Sequence, residues 1–171
     1  MDSRLDRAFF RRDVLEVAPD LLGKHFRLVS KKGVESFYTI SETEAYRGLD
    51  DLACHASKGR TTRTEVMFGD GGHLYMYLIY GMYWMMNVVT SVIGIPQAVL
   101  IRGVREASGP GRVTRLLGVD KQFNGEDLVC SDRIRIEDSG IVPDFTACPR
   151  VGIDYAGEPW KSMPWRFVMN L

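Results

Sequence analysis

The stretch Leu74 to Val92, LYMYLIYGMYWMMNVVTSV, decides how the rest of the chain is read. It is apolar and aromatic throughout, which raises a membrane span as the first alternative. Three features argue against one: Asn87 interrupts the run, tyrosine and tryptophan occupy its centre instead of its ends, and Gly81 splits it into two strand-length halves. A buried β-hairpin with its turn around Tyr80 to Tyr83 fits better. Tyr75 and Tyr77 then share one face of the first strand. Tyr80 stands beside Gly81 at the tip, where a large ring has little core to join. It either packs at the edge of the domain or serves as a wedge between stacked bases.

Working outward from the hairpin, Asp13 is placed to cap a helix running through Val14, Leu15, Val17, Leu21 and Leu22, with Pro19 limiting its regularity and Gly23 ending it. Phe26 to Tyr46 reads as two strands joined at Lys32-Gly33, because FRLV and YTISETEAY carry β-branched and aromatic residues around a turn signal. On the other side, Ala98 to Arg102 reads as a short strand. Ser108-Gly109-Pro110-Gly111 opens a helix through Val113, Leu116 and Leu117 that stops at Gly118. Arg150 to Tyr155 and Trp165 to Met169 read as two closing strands. With no repeat or low-complexity tract, the expectation is an α+β fold in which residues 1–171 form one compact domain.

The 171 residues suit one such domain, and 45% hydrophobic with 26% charged residues is the composition of an ordinary globular protein. Cys54, Cys130 and Cys148 are odd in number and lack CxxC spacing, so neither a disulfide framework nor a cysteine-rich zinc site is expected. The N-terminal segment MDSRLDRAFFRRD lacks the apolar stretch of a signal peptide, and a cytoplasmic location is the expectation. Lys+Arg and Asp+Glu both number 22, so net charge identifies no partner. Distribution says more: Arg102, Arg105, Arg112 and Arg115 face only Glu106 in their segment, and Lys58, Arg60 and Arg63 form a second basic stretch.

For chemistry, a period of two places Tyr38, Ile40, Glu42, Glu44 and Tyr46 on one strand face, so two carboxylates share a side with two rings. Glutamates at a strand end are often simply solvated. A carboxylate among aromatic rings, however, has the surroundings that raise its pKa and suit it to general-base work. Two carboxylates also admit a sugar glycosidase. His55 lies in the polar loop that follows, whereas His25 and His73 flank structural elements. No histidine pair has metal-ligand spacing, and no metal or cofactor is expected. The GPGR turn, Gly109 to Arg112, offers helix N-terminal amides and an arginine to a phosphate, but lacks the Lys-Ser/Thr ending of a nucleotide-binding loop.

Taken in order, DLLGKHF (20–26), ETEAYRGLDDLACHASKGRT (42–61), MFGDGGHLYMYLIYGMYWMMNVV (67–89), AVLIR (98–102), GPGRVTRLLGVD (109–120), PRVGIDYAG (149–157) and PWRF (164–167) resemble the alkyladenine (3-methyladenine) DNA glycosylase family of the mammalian type. The resemblance spans nearly the whole chain. It implies a mostly antiparallel curved sheet with flanking helices and a protruding, DNA-intercalating hairpin. It also implies a monofunctional enzyme, acting as a monomer on double-stranded DNA, that flips a damaged purine from the duplex and hydrolyses its N-glycosidic bond.

On this resemblance Glu44 matches the base that activates water, with Arg102 and the Val151 backbone carbonyl holding that water. Tyr46, Ala53, His55 and Tyr77 match the pocket around the flipped base, and Asn87 the residue that crowds the purine's exocyclic position. Tyr80 matches the side chain that fills the vacated space, Met82 and Tyr83 lie against DNA beside it, and Gly109, Gly111 and Arg112 match the phosphate-gripping turn. Where the family has a longer connection after Arg102, this chain runs through GVREAS almost directly into Gly109. The competing class is a nucleic-acid-binding module with the same fold and no catalysis.

Overall fold

The computed structural model describes residues 2–171. A single helical turn, α1 (Arg7–Phe10), is capped by the Asp6 carboxylate, and α2 (Val14–Asp20) by Asp13, which accepts from the Leu15 N–H. Pro19 removes an amide donor from the last turn of α2, and the helix ends one residue later. Gly23, at φ +83°, then turns the chain into β1 (His25–Val29).

β1 returns through Lys32-Gly33 into β2 (Glu35–Tyr46), the longest strand. The decisive stretch is the expected hairpin, β3 (Leu74–Ile79) and β4 (Tyr83–Thr90), with Ile79 opposite Tyr83. There follow β5 (Gln97–Val104), the short β6 (Ala107–Ser108), α3 (Pro110–Leu117), β7 (Ile134–Glu137), β8 (Phe145–Cys148) and β9 (Arg166–Met169). The strand order is β3-β4-β5-β2-β1-β7, with β6 on β5, β9 on β2 and β8 on β9. Every pairing is antiparallel, so the fold is α+β. GVREAS forms the β5–β6 reversal, which delivers the chain to α3 without a loop.

β2 is the strand on which the sheet turns. Its first half pairs with β1, and its second half pairs with β5 on one side and β9 on the other. The β5 register slips between Ile40 and Glu42 and again before Thr43. This bulge breaks the period of two. Ile40 and Tyr38 pack on the main core, as do Thr43, whose hydroxyl donates to the Ala18 carbonyl in α2, and Ala45. Glu42, Glu44 and Tyr46 therefore face the opposite side. The single face expected for Tyr38, Ile40, Glu42, Glu44 and Tyr46 is corrected accordingly: only the last three share it.

The hairpin base is covered on both sides. Leu74, Met76, Met86 and Val88 enter the main core with Phe10, Leu21 and Ile101, while Tyr75 and Val89 join a smaller cluster with Cys54, Ala56 and Met67. α3 braces β4, with the Thr114 hydroxyl donating to the Trp84 carbonyl at 2.8 Å.

The tail also differs from expectation. Arg150 to Tyr155 is not a strand: Gly152 takes φ +72°, the Arg150 side chain turns inward, and a 3-10 turn covers Asp154–Ala156. The strand lies earlier, as β8. β7, not assigned from the sequence, follows the alternation of buried Ile134 and Ile136 with half-buried Arg135. No described helix is long and apolar enough to cross a membrane.

The N-terminal segment meets the sheet at Gly71, where a Cβ would stand 2.4 Å from the Phe10 carbonyl oxygen and 2.9 Å from that of Ser91. Both obstacles are backbone, so neither can swing aside. Gly71→Ala is expected to lower unfolding free energy by roughly 1–3 kcal/mol, measured as a shifted urea midpoint at unchanged slope; an unshifted midpoint would show that this junction yields freely.

Candidate active site

Because the bulge turns Glu44 away from α2, its carboxylate lies beneath a cleft and not in the main core. The residue is 0% exposed and fully engaged. Oε2 accepts from the Tyr46 hydroxyl at 2.7 Å, and Oε1 accepts from the Val151 N–H at 3.3 Å and lies 3.2 Å from Arg102 Nη1. Burial raises its pKa, while the Tyr46 hydroxyl, Arg102, the Val151 amide and Arg150 oppose the rise and favour the ionised form. A carboxylate so balanced can accept a proton without first losing its place.

Glu42 is arranged differently. Its Oε1 accepts from Arg102 Nε at 3.2 Å and from Arg166 Nη1 at 2.9 Å. Arg102 thus spans both glutamates, and Glu42 anchors it, which removes the reason to read the two carboxylates as a sugar-glycosidase pair.

The cleft is lined by Tyr46, Ala53, Cys54, His55, Met67, Tyr75, Tyr77, Asn87, Ala98 and Tyr155. Tyr75 and Tyr77 come from one face of β3, as alternation requires, and Tyr46 from the end of β2. Asn87 on β4 is buried and donates to the Tyr75 carbonyl at 3.2 Å. His55, in a 3-10 turn after the polar loop, shares a 3.1 Å hydrogen bond between Nδ1 and the Tyr75 hydroxyl. The His55 and Tyr77 ring centroids are 4.3 Å apart, so these two rings touch. Tyr155 closes the rim by donating to the Ala53 carbonyl at 3.0 Å.

The walls are kept uncharged. Burial, with Arg63 and Lys58 nearby, lowers the His55 pKa to about 4, and burial raises the Tyr46 and Tyr77 hydroxyls. The Cys54 thiol is pushed up to about 11 by burial, so it offers no ready thiolate. His25 and His73 lie outside the cleft, beside Thr39 and the Asp70 carbonyl respectively. No cluster of three or more metal-ligating side chains occurs among the described residues.

Beyond the cleft, the hairpin tip presents Tyr80, Met82 and Tyr83 to solvent, with Tyr80 87% exposed. Tyr80 and Gly81 both have positive φ, +51° and +65°. Holding a tyrosine there costs about 1–2 kcal/mol, with no packing in this structure to offset it. The residues of the GPGR turn lie next to the same hairpin. Gly109 has φ +105°, no side chain caps α3, and Arg112 is exposed. At Gly111 a Cβ would sit 2.8 Å from Tyr83 Cδ1, so the turn packs closely on the hairpin tip there.

The sequence reading missed Asp51, Arg150 and Tyr155. Each acts through a partner about a hundred positions away in the chain, and no local periodicity records such a pairing.

The chain as a whole is similar to known proteins. The family model for methylpurine-DNA glycosylase matches residues 8–108 and 105–171. A protein of Methanocella arvoryzae named "Putative 3-methyladenine DNA glycosylase" is 44% identical, covering 95% of this chain and 90% of its own length. Proteins of the same name from Legionella pneumophila strain Corby and from Wolbachia pipientis wMel are 45% and 43% identical, covering 98% and 95% of this chain and 94% and 89% of their own lengths.

A lowered histidine pKa means that the unfolded chain binds a proton before the folded one does. His55 therefore contributes a loss of stability as pH falls from about 6.5, its unfolded value, to about 4. Unfolding free energies of wild type and His55→Gln across this window are expected to converge at the low end, the wild type showing the steeper dependence. Parallel curves would place the proton elsewhere.

Proposed function

The chain belongs to the methylpurine-DNA glycosylase family, and on that premise we propose that it flips alkylated or deaminated purines, 3-methyladenine among them, out of duplex DNA and hydrolyses their N-glycosidic bonds with a water activated by Glu44. Membership makes it a DNA glycosylase, a hydrolase of N-glycosyl bonds in the repair of alkylated bases. The observation that carries the finer reading is Glu44: a wholly buried carboxylate tied by Tyr46 to the cleft wall and by Arg102 and Val151 to either side.

The flipped purine is sandwiched by Tyr46, His55 and Tyr77, which line the cleft together. N3 or N7 alkylation makes the base cationic, and a cation over an aromatic face gains about 0.5–2 kcal/mol. The same charge makes the base a better leaving group, so selectivity demands less of hydrogen bonds to the base edge. Asn87 crowds the exocyclic position. Arg102 and the Val151 carbonyl hold the water near C1′. As the water oxygen bonds to C1′, Glu44 takes a proton, the C1′–N bond breaks and its electron pair leaves with the base, giving an abasic site.

Extrusion costs a few kcal/mol of unstacking. Tyr80 offsets part of it by entering the vacated space, with Met82 and Tyr83 against the duplex and Gly109, Gly111 and Arg112 on the backbone. The enzyme works as a monomer, without metal or cofactor, in the cytoplasm or nucleoid where the DNA lies. Water is the nucleophile and the cleft lining holds no lysine, so no imine to the sugar forms and the strand stays intact.

Single-turnover base release from methylated duplex DNA in excess EDTA tests this reading. Glu44→Gln is expected to lower release by roughly 100-fold or more while still binding a tetrahydrofuran abasic-site duplex; release at the wild-type rate rejects Glu44 as the base. Borohydride is expected to trap no enzyme–DNA adduct. Tyr80→Ala should weaken binding to a lesion-bearing duplex by roughly 10-fold, the loss of one stacked ring, as measured by fluorescence anisotropy.

A further inference from the structure

Behind the cleft lies an ion pair that the proposed chemistry does not use. The side chains of Arg150 and Asp51 are 0% and 1% exposed and meet in a fork, Nη1 to Oδ2 at 2.6 Å and Nη2 to Oδ1 at 2.9 Å. Arg150 Nη1 also donates to the Ala45 carbonyl at 2.9 Å, between Glu44 and Tyr46 in the chain. Its guanidinium carbon lies 4.8 Å from the Tyr46 ring centroid and 5.0 Å from that of Trp165. Asp51 in turn accepts from the Arg47 and Ala53 amides at 3.0 and 3.1 Å, which shapes the loop that carries Ala53 and His55 to the cleft.

Stability alone does not account for this arrangement, because a buried ion pair can often be replaced by apolar side chains of similar size without loss. Arg150 Nε even lacks a partner among the described residues. What an apolar pair cannot reproduce is a planar cation that covers one ring face and bonds the backbone beside it. We propose that Arg150 and Asp51 are positioning residues for base excision: the guanidinium backs the Tyr46 ring and fixes the Glu44–Tyr46 strand end, the carboxylate fixes the loop bearing Ala53 and His55, and the backbone at Val151 is set by its neighbour's anchorage. Three separated segments thus converge on one fork. The inference rests on the proposed roles of Glu44 and Tyr46.

The test uses Arg150→Lys, which keeps the charge but loses the fork and the planar stack, and the double variant Arg150→Met/Asp51→Leu, which removes both charges at similar volume. Single-turnover release of alkylpurine at saturating enzyme is expected to fall 10- to 100-fold in both. Affinity for a tetrahydrofuran abasic duplex, which places no base in the cleft, should stay within twofold. A purely structural role would lower the active fraction in both assays together. Crystal structures of the variants should show the Tyr46 ring and Glu44 carboxylate displaced. A folded double variant with wild-type release and unmoved Tyr46 and Glu44 overturns the proposal. Glu44→Gln run alongside separates the two failures: undiminished release there rejects the reading of Glu44, while displacement of Tyr46 in the Arg150 variants still reports on the pair.

Discussion

A carboxylate with no solvent-accessible surface must find its donors inside the protein or give up its charge, and Glu44 is the residue around which this structure meets that demand. Tyr46 donates from the same strand, Arg102 approaches from β5 and the Val151 amide comes from the tail. Each donor belongs to a different part of the chain. Building the cleft and satisfying Glu44 thus draw on the same contacts, and the tail reaches Glu44 through the Val151 amide where it bends at Arg150 to Tyr155.

The bulge in β2 makes those contacts possible. A regular strand would place Glu42 and Glu44 on the Ile40 face, inside the apolar core. The slip before Thr43 sends Thr43 and Ala45 inward and turns both glutamates toward the arginines and the cleft. A local irregularity of one strand thus separates the hydrophobic side of the sheet from its chemical side. The hairpin beside it divides in the same manner: Leu74 and Met76 support the core, Tyr75 and Tyr77 form the cleft wall, and the tip past Ile79 carries rings that no core accepts.

These parts also divide the work expected of a base-excision enzyme. The cleft supplies neutral aromatic walls, because burial holds His55 and the tyrosines uncharged, and the surface around α3 and the hairpin tip supplies the exposed Arg112, open helix amides and exposed rings. The exposed charge and the neutral aromatic walls thus lie on different surfaces.

Much of this architecture is legible in the order of the residues. Alternation and the Tyr80-Gly81 turn specify the hairpin, Asp13 starts α2, which ends at Asp20 and short of the expected Leu21, Leu22 and Gly23, Gly109 to Gly118 frame α3, and the ordered motifs identify the family and mark Glu44, Tyr46, His55, Tyr77 and Asn87 as candidates. Those signals are local, arising from backbone preference, capping and side-chain periodicity within a few residues. Which face Glu44 takes, the contact of Arg102 with both glutamates, and the pairing of Arg150 with Asp51 across 99 positions are set instead by the folded chain. The reason is physical: a bulge is specified by what packs on each side of the strand, and a buried ion pair by the three-dimensional need to satisfy charge where water has been removed.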